Sequence, residues 1–195
     1  MKTLSVLATM AAMMFLVSCG TTKPATVTNN TRPGSPFGDV YEVPAAEHDT
    51  DDYFGATGIA SGPKARMDVL QMAALTNAQN IVRQKMQHAY KGAINDYSSY
   101  IGNNAGADAV NKVERAGTQI IDAIVNDTQA TKGPMFSAVD EKGNVTCYVG
   151  IRVSKKAIAE KITDYVSEDE ELKIRFKEDQ FRQKMEENFK KFKEN

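Results

Sequence analysis

Cysteine, histidine, tryptophan and charge of one sign are all scarce in this 195-residue sequence, and each shortage removes a class of protein. Thiols occur only at Cys19 and Cys147, so the chain is no disulfide scaffold and its fold must rest on burial. The only histidines, His48 and His88, have neither Cys nor a second His at ligand spacing, which leaves no pattern for zinc and puts no metal among the expected cofactors. Basic and acidic residues number 24 and 25 and are interspersed. Phosphate recognition needs a clustered excess of Lys and Arg, so no nucleic-acid partner is expected. Long apolar runs are nearly missing too. The one candidate, from Leu4 to Val17 and broken by Ser5 and Thr9, is shorter than the roughly 20 residues needed to cross a bilayer but suits an export signal.

That run follows Lys2 and ends in Leu16-Val17-Ser18-Cys19-Gly20. The last residues resemble the lipobox of bacterial lipoproteins, with Leu16, Val17 and Ser18 preceding the thiol. The resemblance implies that residues 1–18 are removed as a signal peptide and that Cys19 is the lipid attachment site, carrying diacylglycerol and, in many such proteins, an acylated amine. Each buried methylene adds about 0.8 kcal/mol, so two or more chains hold a protein on a membrane durably. Apart from this covalent lipid no cofactor is expected.

Residues 19–50 are rich in Thr, Asn, Pro and Gly and carry Pro24, Pro33, Pro36 and Pro44 without apolar periodicity, which reads as a flexible tether with a reach of roughly 30 Å. Glu47, Asp49, Asp51 and Asp52 around His48 lack the glycine and terminal glutamate of a calcium loop, so a solvated acidic run is expected.

A single domain is expected over residues 51–195. Near Tyr53 a glycine-rich strand begins and ends at Gly62-Pro63. From Lys64 to about Tyr97, Met67, Leu70, Ala74, Ala78, Ile81 and Ala89 recur at helical spacing. A second helix should start at Asp108 as N-cap and carry Val110, Val113, Gly117, Ile120, Ile121 and Ile124. After Gly133-Pro134, strands over 135–139 and 145–153 flank Asp140–Asn144 as a hairpin. The period of two puts Cys147 on one face with Val145, Val149, Ile151 and Val153, as a buried thiol. Ser154 should cap a short helix, and Ser167-Glu168-Asp169-Glu170 has the form of a capping box for a last one. The expected class is α+β: a small, mainly antiparallel three-stranded sheet covered by long helices, with a C-terminal amphipathic helix.

Ala56-x-Gly58-x-Ala60, then Ala65-Arg66, Ala73-Ala74 and Ala78-Gln79, and finally Tyr148-Val149-Gly150-Ile151 resemble the twenty-kilodalton lipoprotein family of bacterial envelopes and the related N-terminal domain of flagellar assembly protein T. Many members carry Arg where this chain has Gln79. The resemblance implies a non-enzymatic, membrane-attached protein and supplies no active site.

No nucleotide is expected. The glycines of Gly55-Ala56-Thr57-Gly58-Ile59-Ala60-Ser61-Gly62 miss the G-x-G-x-x-G spacing, and Pro63 deletes a donor where the anion would sit. No catalytic residue is singled out, because no Ser or exposed Cys stands beside a base. Phe181, Met185, Phe189 and Phe192 form a stripe that either packs on its own domain or presents a partner surface to an envelope protein or a second copy. The expected function is a lipid-anchored, non-enzymatic structural or protein-interaction module. Gly20-Thr21-Thr22-Lys23 lacks the aspartate associated with inner-membrane retention, which suggests the outer membrane, facing the periplasm. The alternatives are a binder of a small envelope ligand, which needs a concave apolar pocket, and an enzyme of unrecognised class.

Overall fold

Three strands, β1 (Tyr53–Pro63), β2 (Met135–Phe136) and β3 (Asn144–Ser154), form an antiparallel sheet of order β1-β3-β2 in the computed structural model, which describes residues 43–101 and 106–192. Phe54 lies opposite Val153, Ala56 opposite Ile151, Gly58 opposite Val149 and Ala60 opposite Cys147. This register gathers the apolar period-two residues on one inner face, and Cys147 is fully buried there. The expected α+β class, with a three-stranded sheet and covering helices, is the one observed. The second strand is shorter than the residues 135–139 expected. Ser137 N–H still donates to Thr146 O at 2.8 Å, but Thr146 N–H donates to the Ser137 hydroxyl at 2.9 Å in place of its carbonyl, and the regular ladder stops.

The inner face is covered by α1 (Met67–Ile101), entered through one 3₁₀ turn at Lys64–Arg66. Small residues set the approach. A Cβ on Gly58 would stand 1.9 Å from Ala74 O and 2.4 Å from Ala78 N, so the helix backbone sits directly on the strand. Leu70, Ala74, Ala78, Val82 and Met86 continue the buried row at intervals of four.

Helix α2 (Ala107–Asp127) packs beside α1. Gly106, with φ of 75°, is its N-cap; Asp108, expected there, falls two residues later in the first turn, where its charge still faces the positive end of the helix. Tyr90 of α1 donates its hydroxyl to Val113 O at 2.7 Å, and its ring fills the space a side chain at Gly117 would need. Gln79 Nε2 donates to Thr128 O at 3.1 Å, and one turn on, Arg83 pairs with Asp122 at 3.0 Å.

Ser154 caps α3 (Lys155–Glu168) by accepting from Ala157 N–H at 3.2 Å, as expected. The capping box assigned to Ser167 is corrected. Asp169 caps α4 (Glu170–Arg175) by accepting from Leu172 N–H at 3.0 Å, while Ser167 bonds back to Thr163 O. The Lys112 ammonium, 2.7 Å away, and this cap hold the Asp169 carboxyl below its ordinary range. The single last helix is also two, because Lys177 N–H leaves the helical ladder for the Tyr97 hydroxyl at 2.9 Å and Phe176 stacks on the Tyr97 ring. Helix α5 (Glu178–Lys191) follows and lies across α1 and α3.

Candidate functional site

The outer face of the sheet presents Gly55, Thr57 and Ile59 from β1 opposite Arg152, Gly150 and Tyr148 of β3. Across its glycine end runs a strap, residues 43–52. The sequence assigns residues up to 50 to a free tether and the acids around His48 to solvent. The structure corrects the first for residues 43–50 and the second for Glu47 and Asp49, whereas Asp51 and Asp52 are exposed as expected. The Glu47 and Asp49 side chains are 3 % and 0 % exposed and are ion-paired, with Arg152 Nε and with Lys85 Nζ (3.0 Å) respectively.

The strap is built from its neighbours' lack of side chains. A Cβ on Gly55 would strike the His48 carbonyl at 2.3 Å, and one on Gly150 would strike Ala45 O at 2.4 Å. Thr57 completes the seat, its hydroxyl accepting from Glu47 N–H at 2.7 Å and donating to Ala45 O at 3.2 Å. The strap turns at Val43-Pro44-Ala45-Ala46, where Ala46 N–H bonds Val43 O at 3.2 Å and Ala45 takes φ of 55°. Proline followed by a left-handed residue is the pattern of a type II turn, with alanine where glycine is usual.

The strap also blocks an edge. At Gly55 the outward N–H of β1 donates to Asp49 Oδ1 at 2.9 Å and the outward C=O accepts from Lys85 Nζ at 2.9 Å. Asn77 covers Ile59 O in the same way at 3.0 Å. Main-chain groups that would template another strand are thereby occupied by side chains. The strap ends in a turn over Thr50–Tyr53, and Lys155, 4 % exposed, reaches Thr50 O with its ammonium at 2.6 Å. Cations from α1, β3 and α3 thus converge on six residues, Ala45 to Thr50. Chemically the arrangement fastens a segment of chain; its two buried carboxylates are neutralised by Lys85 and Arg152.

Of the residues singled out by sequence, Cys19 and Leu16, Val17 and Ser18 lie outside the described residues. Phe181, Met185 and Phe189 are buried and Phe192 is partly so. The stripe is therefore core, and the partner surface it offered is withdrawn. Phe189 meets Phe54 edge-on at 5.4 Å, and Phe181 meets Tyr97 at 5.2 Å. Burial pushes the Cys147 thiol above its ordinary pKa. His88 is exposed, with its ring 5.9 Å from Phe192.

Among the described residues no group of three or more His, Cys, Asp or Glu is placed to hold a metal ion, and no helix is long and apolar enough to cross a membrane. A surface cavity of about 360 Å³ lies beside Lys155, with Asp51, Asp52, Lys156, Glu186 and Lys190 on its walls and Phe189 below. Sequence reasoning missed the strap because its side chains have no apolar period. Gly55 and Gly150, neighbouring residues on the polar face of two strands, were the available signal. No family model matches the chain, and neither a curated protein nor a solved structure does.

Proposed function

We propose that the protein is a lipid-anchored envelope lipoprotein and a non-enzymatic structural or protein-interaction module. In this reading Cys19 carries the lipid once residues 1–18 are removed, and the domain faces the periplasm from the outer membrane. The resemblance to the twenty-kilodalton lipoproteins belongs to the same proposal. The observation that carries it is the strap: the chain arriving from the N-terminal side is fastened by Lys85, Arg152 and Lys155 before it enters β1. A body tethered through that side needs such a fastening, since any pull on the anchor acts first on residues 43–52.

Metabolic labelling with a fatty acid tests the anchor. The wild-type chain takes up label and sediments with membranes, whereas Cys19→Ser does neither; equal labelling of both would end the proposal. In-cell crosslinking from exposed positions such as Met135 or Ile174 addresses the interaction role. The reading expects a discrete protein adduct, and adducts with lipid or with a small molecule alone would favour the ligand-binding alternative.

A further inference from the structure

Lys155 stands where elementary electrostatics disfavours a cation. It is the first residue of α3, at the positive end of the helix dipole, and burial strips its ammonium of most of its hydration. The compensation comes from two distant parts of the chain. Its Nζ donates to Thr50 O of the strap at 2.6 Å and to Phe192 O, just past α5, at 2.9 Å. It also lies 4.9 Å from the centre of the Phe54 ring, a cation–π contact, and that ring meets Phe189 and Phe192 at 5.4 and 5.8 Å. The Lys155 backbone N–H adds a bond to Asp52 O at 2.9 Å.

We infer that Lys155 is a two-ended clasp, through which release of the strap also releases the end of α5. The reason is the cost of a half-satisfied buried charge. Once the Thr50 carbonyl departs, the ammonium keeps the desolvation penalty but loses a ligand at 2.6 Å. A second seat lies alongside, in the charged cavity at Glu186 of α5, where water and that carboxylate replace the lost carbonyl. Moving there takes Nζ away from Phe192 O, and the last turn of α5 loses its tie. Strain entering through the N-terminal segment is thereby passed to the opposite end of the chain. The inference does not depend on lipid at Cys19, so it stands or falls separately from the anchor.

Hydrogen exchange on the full chain tests it. Glu47→Gln with Asp49→Asn loosens the strap at Arg152 and Lys85 without touching Lys155. The Glu47 and Thr50 amides and the Phe192 amide, which bonds Asn188 O at 3.2 Å, should then all exchange about tenfold faster or more and remain faster than the β3 amides. In Lys155→Met the Phe192 amide should already be fast, and adding the strap substitutions should leave it there. A strap that exchanges faster while Phe192 keeps its wild-type rate would overturn the clasp. So would a Phe192 response that survives in Lys155→Met, or acceleration of β3 to the same rate, which would mean opening of the whole domain. If the double variant does not fold, Thr57→Val, which removes the hydroxyl seat of Glu47 and Ala45, loosens the strap more gently and is read in the same way.

Discussion

On the inner face of β1, Gly58 admits the backbone of α1; three residues earlier, on the outer face, Gly55 admits the backbone of the strap. Both contacts are closer than any side chain permits. Around Gly58 the neighbours are Ala56, Val149, Ile151 and the alanines of α1, so the contact is held by burial of apolar area, at roughly 25 cal/mol per Å². Around Gly55 the neighbours are Asp49, Lys85, Thr57 and Arg152, so the contact is held by hydrogen bonds and ion pairs whose desolvation cost offsets much of their attraction. The same close approach is therefore held by apolar burial on one side of the sheet and by charge on the other.

The largest expected effect is on the inner face. Gly58→Ala sets a methyl 1.9 Å from a backbone oxygen that cannot swing aside, so α1 must shift bodily. The expected loss is about 4 kcal/mol, above the usual 1–3 for overpacking, and chemical denaturation measures it. Gly133→Ala, with nothing within 4 Å, is the control and should lose less than about 0.5 kcal/mol. Equal midpoints for the two variants would mean that the strand–helix approach is not tight. Phe189→Ala comes next, removing a buried ring from the Phe54 cluster at about 3 kcal/mol. An unchanged melting temperature would return the aromatic stripe to the surface.

What the sequence disclosed divides along the same line. Period-two alternation from Val145 to Val153, the four-residue spacing of α1 and the stripe of α5 all record burial of apolar side chains, and burial leaves a period in the residues themselves. The hydroxyl of Ser154 as a cap was legible because the required chemistry is local. Asp169 in place of Ser167, Gly106 in place of Asp108 and the break at Lys177 were not. Those depend on Tyr97, Lys112 and the preceding turn, which come close only in the folded chain. The strap was the least legible. Glu47 and Asp49 have the composition of a solvated run, and only the cations of α1 and β3, far away in sequence, turn them inward. The lipid attachment proposed at Cys19 rests on the sequence alone.

On the outer face the effects shrink with exposure. Asp49→Asn cuts a pair whose members are 0 % and 14 % exposed, so a loss of about 2–3 kcal/mol is expected. Glu47→Gln should cost about 1 kcal/mol, because its partner Arg152 is 45 % exposed and water replaces the lost pairing. If Glu47→Gln proved as costly as Gly58→Ala, the contrast between the faces would fail.

The finest test uses Cys147, which reports the inner face without altering it. Because burial raises its folded-state pKa, the folded chain keeps the thiol proton where an unfolded one gives it up. That contribution to stability is complete below about pH 8.5, the ordinary thiol value, and is lost as pH rises through the folded-state pKa. Labelling by a disulfide reagent at pH 8, in chains with Cys19 replaced by Ser, therefore reads opening of the inner layer alone. Glu47→Gln should label no more than about fivefold faster than wild type, and Gly58→Ala much faster, each in proportion to its lost stability. A strap variant that labels as fast as Gly58→Ala would show that the two faces open together. Burial on one side and charge on the other would then be a single cooperative structure.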